Sequence, residues 1–140
     1  MGRRWIPADP EKCSGCRICE VICNMAHDHQ NLINPSWARI HVYKEEEAGK
    51  DIPKTCLQCE NADCARACPA GAIYFDPPLG AYLVAEDLCS GCGECVQACS
   101  FGAIFLHPAR QVAVKCDLCG GAASCIKECP TGALTLAEGD

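Results

Sequence analysis

Four groups of four cysteines punctuate this chain: CSGCRICEVIC at residues 13 to 23, CLQCENADCARAC at 56 to 68, CSGCGECVQAC at 89 to 99 and CDLCGGAASCIKEC at 116 to 129. They use all sixteen cysteines in 140 residues. A Cys-x2-Cys pair alone is shared by zinc ribbons, redox dithiols and haem attachment sites. The full pattern is narrower. Structural zinc sites commonly separate two such pairs by an intervening finger. Here four thiols fall within eleven to fourteen residues, and two quartets end in Cys-Pro, the layout that holds [4Fe-4S] cubanes.

That chemistry accounts for the spacing. A short loop brings three thiolates around one face of a cubane, with backbone N–H groups aimed at its sulfides. A helical turn then carries the fourth cysteine away, so that it ligates the other cluster of a two-cluster unit. A following proline stops the turn and lets an extended strand leave.

The composition agrees that inorganic matter fills the middle. The apolar share of 49% counts cysteine; without it roughly 53 apolar residues remain, and only eight are aromatic. A disulfide scaffold of a secreted domain is the rival use of so many cysteines. MGRRWIPADPEK reaches Cys13 without an apolar segment, so the Arg3-Arg4 pair reads as two solvated basic residues rather than an export signal. No run approaches eighteen apolar residues. The expectation is therefore a cytoplasmic chain without membrane insertion, in a compartment where free thiols persist. A formal charge of −6 argues against nucleic acid and for docking on a basic surface.

The elements that must position the thiols repeat with the quartets. The last three continue as CPAGAI, CSFGAI and CPTGAL, each a cysteine loop followed by a short strand. AIYF, DPPLG and AYLVA read as a hairpin leading to Cys89, and AIFL, HPAR and QVAV as another leading to Cys116. After the first quartet CEVICNMAHDH has helical spacing, WARIHVYK reads as a strand and KEEEAGKD as a turn, with Glu45 to Glu47 on a solvated loop. His27 and His29 could bind metal, but the quartets are complete without them, which favours surface or packing roles. Trp5 and Trp37 read as packing or interface residues. No nucleophile with a base and no phosphate loop is present, so the chain is not expected to be an enzyme.

The order and spacing of the quartets resemble, over roughly residues 10 to 137, the four-cluster ferredoxin-type electron-transfer subunits of molybdenum or tungsten bis-pterin oxidoreductases. CSGCRICEVIC, NPSWARIHV and KCDLCGGAASC look most like the small iron–sulfur subunits beside tungsten aldehyde oxidoreductases. Asp63 stands where a proline often precedes the third cysteine, and Ser100 replaces the proline after Cys99; neither removes a ligand. The resemblance implies an α+β fold of two pseudo-symmetric ferredoxin-like modules, four [4Fe-4S] clusters, and a larger pterin-dependent catalytic partner. A further redox subunit or soluble acceptor would complete the path. A free-standing polyferredoxin or maturation factor and a zinc or disulfide scaffold are the other readings.

Residues 68 to 99 have the layout of an ordinary two-cluster ferredoxin, so the second and third quartets are expected to pair. The first and fourth would then meet by folding the chain ends together, the nested arrangement of the resembling family. This gives an inner module over residues 56–99 and an outer one over 1–55 and 100–140. With each fourth cysteine crossing over, the four ligand sets are Cys13, Cys16, Cys19 and Cys129; Cys116, Cys119, Cys125 and Cys23; Cys56, Cys59, Cys64 and Cys99; and Cys89, Cys92, Cys95 and Cys68. Sequential pairing, first with second and third with fourth, is the alternative.

Overall fold

The computed structural model describes residues 2–27 and 34–139. Its regular elements are short, because a cysteine loop interrupts the chain every few residues. Among the described residues, four two-stranded antiparallel sheets and four α-helices alternate with the loops. β1 (Arg3–Trp5) pairs with β8 (Ala137–Gly139), β2 (His41–Glu45) with β3 (Lys50–Lys54), β4 (Ile73–Asp76) with β5 (Ala81–Val84), and β6 (Phe105–Leu106) with β7 (Ala113–Val114). The helices are α1 (Ile18–His27), α2 (Asp63–Ala67), α3 (Glu94–Ala98) and α4 (Ser124–Glu128). Short helices and small antiparallel sheets make this an α+β fold of the ferredoxin kind.

Both hairpins expected between quartets form. Ile73 faces Val84 and Asp76 faces Ala81 in one; Phe105 faces Val114 in the other. The strand in WARIHVYK starts only at His41. Pro35–Trp37 instead make a 3-10 turn capped by the Asn34 side chain, which accepts from the Ser36 N–H, and proline at the first position suits that turn. The helix expected after the first quartet is present through His27; Asp28 and His29 lie outside the described residues.

The largest difference from expectation is near the start of the chain. Arg3 and Arg4 are not two free solvated bases. The Arg3 guanidinium donates to the carbonyls of Leu57 and Gln58, at 3.1 and 2.8 Å, and lies 4.3 Å over the Trp5 ring. Arg4 pairs with Glu138 across the β1–β8 ladder at 3.1 Å. A two-residue basic motif carries no sign of partners more than fifty positions away.

The core is as thin as the composition implies. One cluster joins Ile6, Ile40, Val42, Leu118 and Leu134 to Cys19, Cys23, Cys116 and Cys125. The other has Ile73, Ile104 and Ala113 around Cys95. α1 packs on α4 and α2 on α3, so the cysteine-bearing helices meet in pairs. Buried polar groups tie these parts together. Glu20, 3% exposed, accepts from the Val42 N–H at 2.6 Å and pairs with Arg17, which fixes α1 against β2.

Candidate metal centre

All four Cys-x2-Cys loops share one backbone device. The residue before the second cysteine is left-handed each time: Gly15 at φ +76°, Gln58 at +49°, Gly91 at +76° and Leu118 at +57°. A second left-handed residue, Arg17, Ala62, Gly93 or Ala123, precedes the helix that bears the third cysteine. Non-glycine residues take this conformation at a cost of roughly 1–2 kcal/mol each. Its recurrence with different residue types shows that the loop shape, rather than the local sequence, is what the fold preserves.

The loops bring cysteines of different quartets together. Cys13, Cys16 and Cys19 line one cavity with Cys129 from the far end of the chain. Cys56, Cys59 and Cys64 line a cavity of about 260 Å³ with Cys99. Cys89, Cys92 and Cys95 line a third with Cys68. Cys125 is buried within electrostatic reach of Cys116, Cys23, Cys119 and Cys19.

Crowding and burial act on the thiols together. Burial pushes Cys116 up to about 12, with Cys56 adding to the rise. Burial, then the neighbouring charges of Glu20, Cys16 and Cys13, takes Cys19 to about 12. Burial and the thiolates of Cys89, Cys64 and Cys68 take Cys95 to about 11. Burial likewise drives Cys125 far above the ordinary thiol range, with Cys116, Cys23, Cys119 and Cys19 adding to it. Thiols raised in this way are stable as thiolates only beside cations, and metal binding there must release protons. Four converging thiols match the donor set of an iron–sulfur cubane.

Backbone donors complete the cradles. N–H groups of Gln58, Ala72, Ala103, Ala113 and Leu118 reach Sγ of Cys56, Cys68, Cys99, Cys89 and Cys116 at 3.3 to 3.5 Å. The Arg39 N–H reaches Cys23 Sγ at 3.1 Å. Burial opposes the thiolate at Cys68, yet the N–H groups of Ala72, Ala70, Gly71 and Ile73 outweigh it and lower the thiol below its usual value. Such bonds to sulfur are one of the means by which proteins set cluster potentials.

His27 is closer to this chemistry than its surface or packing reading suggested. Its Nε2 lies 2.8 Å from Asp117 Oδ1, and its Nδ1 2.8 Å from the Cys23 carbonyl and 3.7 Å from Cys23 Sγ. Burial alone would lower the imidazole, but Asp117 and Cys23 hold it up to about 10; Asp117 itself, despite burial, is held near 2 by His27 and Arg39. His27, Asp117 and Cys119 present ligand atoms within 4.8 Å of one another. The signal available in the sequence was His27 four residues after Cys23, one helical turn away. Trp37 packs on the His107 ring at 4.7 Å, and Trp5 under Arg3, in the packing roles expected of them. His29 lies outside the described residues.

A model of the 4Fe-4S dicluster domain matches residues 47–139, and a 4Fe-4S binding domain matches residues 10–26. The chain belongs to the 4Fe-4S dicluster family. Its sixteen cysteines in four motifs fit four [4Fe-4S] clusters. Within the family it is 45% identical over 97 residues to the aliphatic sulfonate oxidoreductase polyferredoxin-like subunit of Pyrococcus furiosus, covering 69% of this chain and 54% of that one. It is 35% identical over 118 residues to a tetrathionate reductase subunit of Archaeoglobus fulgidus, covering 82% and 55%. It is 44% identical over 108 residues to electron transport protein HydN of Escherichia coli, covering 72% and 58%. The chain thus spans just over half the length of these relatives. Two of these names, polyferredoxin-like subunit and electron transport protein, are those of electron-carrying components, in line with a chain that is not itself an enzyme. A solved active site complex BamBC of benzoyl coenzyme A reductase, with 1,5-dienoyl-CoA, superposes with a TM-score of 0.58 at 26% identity, over 100% of this chain and 78% of that one. No helix among the described residues is long and apolar enough to cross a membrane.

Proposed function

We propose that the chain is an electron-relay subunit that passes single electrons through four [4Fe-4S] clusters to or from a larger oxidoreductase. The observation that carries the reading is the convergence of each quartet's first three cysteines with the fourth of another. It supports the ligand sets Cys13, Cys16, Cys19, Cys129; Cys116, Cys119, Cys125, Cys23; Cys56, Cys59, Cys64, Cys99; and Cys89, Cys92, Cys95, Cys68. The same convergence supports an inner module over residues 56–99 enclosed by an outer one over 1–55 and 100–140. Cys56 adds to the rise of the Cys116 thiol, which favours a junction between the Cys56 and Cys116 sets. The path then runs from the Cys13 set through those two to the Cys89 set. Cys16 and Cys92, the exposed cysteines, stand in the two terminal sets, where electrons would enter and leave.

The catalytic partner we assign is a cytoplasmic tungsten or molybdenum bis-pterin oxidoreductase, with aldehyde oxidation as its reaction. The resemblance of CSGCRICEVIC and KCDLCGGAASC carries this narrower step. The relatives named as subunits of sulfonate and tetrathionate enzymes support an oxidoreductase partner in general. The three cysteine-lined cavities support this reading, and each cluster when bound would supply a one-electron couple. The chain's residues would position the thiolates and donate N–H groups to sulfur.

The test is anaerobic purification of the native complex with iron, acid-labile sulfide and pterin metal counted together. About sixteen iron atoms per chain are expected, four for each cubane. Cys129→Ser should alter the same electron paramagnetic resonance signal as Cys16→Ser. Stoichiometric zinc without sulfide would end the iron–sulfur reading. Full complement of clusters with no oxidoreductase attached would instead favour a free polyferredoxin.

A further inference from the structure

Lys115 is the residue of this fold whose position the relay does not yet explain. It is 2% exposed, at the end of β7 and directly before Cys116. Its Nζ donates to Gln58 Oε1 at 3.0 Å, to the Cys116 carbonyl at 2.9 Å and to the Tyr82 carbonyl. All three acceptors are neutral. Burying an ammonium against neutral acceptors is costly unless a negative charge stands close by.

The negative charge on offer is that of the thiolates. Lys115 lines the cavity shared by Cys56, Cys59, Cys64 and Cys99, and it is covalently next to Cys116 of another set. Gln58 braces the arrangement from the loop between Cys56 and Cys59. Its Oε1 accepts from Lys115 and from the Tyr82 N–H at 2.8 Å, and its Nε2 donates to the Cys116 carbonyl at 2.8 Å. One fixed cation is therefore wedged between two four-thiol sets that belong to different quartets.

We infer that Lys115 is the positioning charge of the junction: it raises the reduction potentials of the Cys56 and Cys116 clusters together and so keeps the step between modules open to electrons. This rests on the ligand sets proposed above. Reduction adds one electron to each cubane, with no bond made or broken and no proton moved. The added negative charge is stabilised by a nearby cation, more so in a site shielded from water. The two terminal clusters lie beyond the sets that Lys115 touches and should feel it weakly.

The experiment is a dithionite titration of the purified holoprotein, followed by electron paramagnetic resonance, for the native chain, Lys115→Met, Lys115→Gln and Lys115→Arg. Cys16→Ser and Cys92→Ser mark the two terminal clusters. In the Met and Gln variants the two unmarked clusters should become harder to reduce by at least tenfold in equilibrium constant, or about 59 mV for a one-electron couple. The marked clusters should hold, and the Arg variant should stay near native values. A merely structural lysine would lower thermal stability and leave the potentials alone; unmoved potentials, or four that move in parallel, overturn the assignment. Should the uncharged variants bind fewer than four clusters, Gln58→Glu is titrated instead, since its carboxylate faces the ammonium and cancels its field. Unchanged junction potentials there overturn the inference equally. Fewer than four clusters in the native chain defeats the ligand sets themselves, a result distinct from any of these.

Discussion

Gly91 lies against Gln111 so closely that a Cβ built on it would stand 2.6 Å from the Gln111 carbonyl oxygen. Gly71, also left-handed at φ +66°, has nothing within 4 Å of the same position. Gly71→Ala should cost only the left-handed strain, about 1–2 kcal/mol. Gly91→Ala should cost more, because backbone cannot swing away as a flexible side chain can. Denaturant midpoints followed by visible cluster absorbance should separate the two; equal losses would show that the loop yields to Gln111.

Glu20 bridges the first quartet to β2 from an enclosed position. Glu20→Ala leaves the Val42 N–H without its acceptor and should lower stability by about 1.5–3 kcal/mol, the range for a hydrogen bond to a charged group. Lys50 pairs with Glu11 in solvent, and Lys50→Ala should leave the unfolding midpoint unchanged. The comparison is a pair of denaturant titrations on the holoprotein. A Glu20→Ala chain as stable as the Lys50→Ala chain would contradict the bracing role.

Removal of the clusters should unfold most of the chain. The second hydrophobic cluster has only Ile73, Ile104 and Ala113 as buried aliphatic residues beside Cys95, too few to hold its hairpins and its five-residue helices alone. Chelation under reducing conditions should abolish cooperative thermal unfolding and most far-ultraviolet helical signal. Retention of a sharp transition after iron is gone would refute the dependence.

Arg3 is the tether of the N-terminal strand to the second quartet. Arg3→Met should accelerate hydrogen exchange in β1 and β8 while the β6–β7 amides keep their protection. Uniform acceleration would mean that Arg3 supports the whole fold rather than this attachment.

The cysteines and the hairpins were legible because their signals are local. IYF and AYLV are short apolar runs on either side of turn residues, and the quartets carry their own spacing. Lys115 was not legible, since VAVK reads as a strand ending in a solvated base until Gln58 and Tyr82, many residues away, supply its acceptors. Gln58 hides likewise, as one polar residue in a loop where glycine would suit the backbone better. The late start of β2 could have been found: Asn34, Pro35 and Ser36 spell a capped turn, which the apolar alternation of WARIHVYK outweighed. His27 required Asp117, ninety positions on, to reveal its role.

The pairing of Arg3–Trp5 with Ala137–Gly139 also orders events in time. As the chain leaves the ribosome, β2, β4 and β6 each meet a partner within a few residues, but β1 keeps an unpaired edge until Ala137–Gly139 have been made. An edge left open invites association with other chains. Cys13, Cys16 and Cys19 are thus enclosed only when Cys129 has been made, and the cell must shield them from oxidation until it arrives beside them.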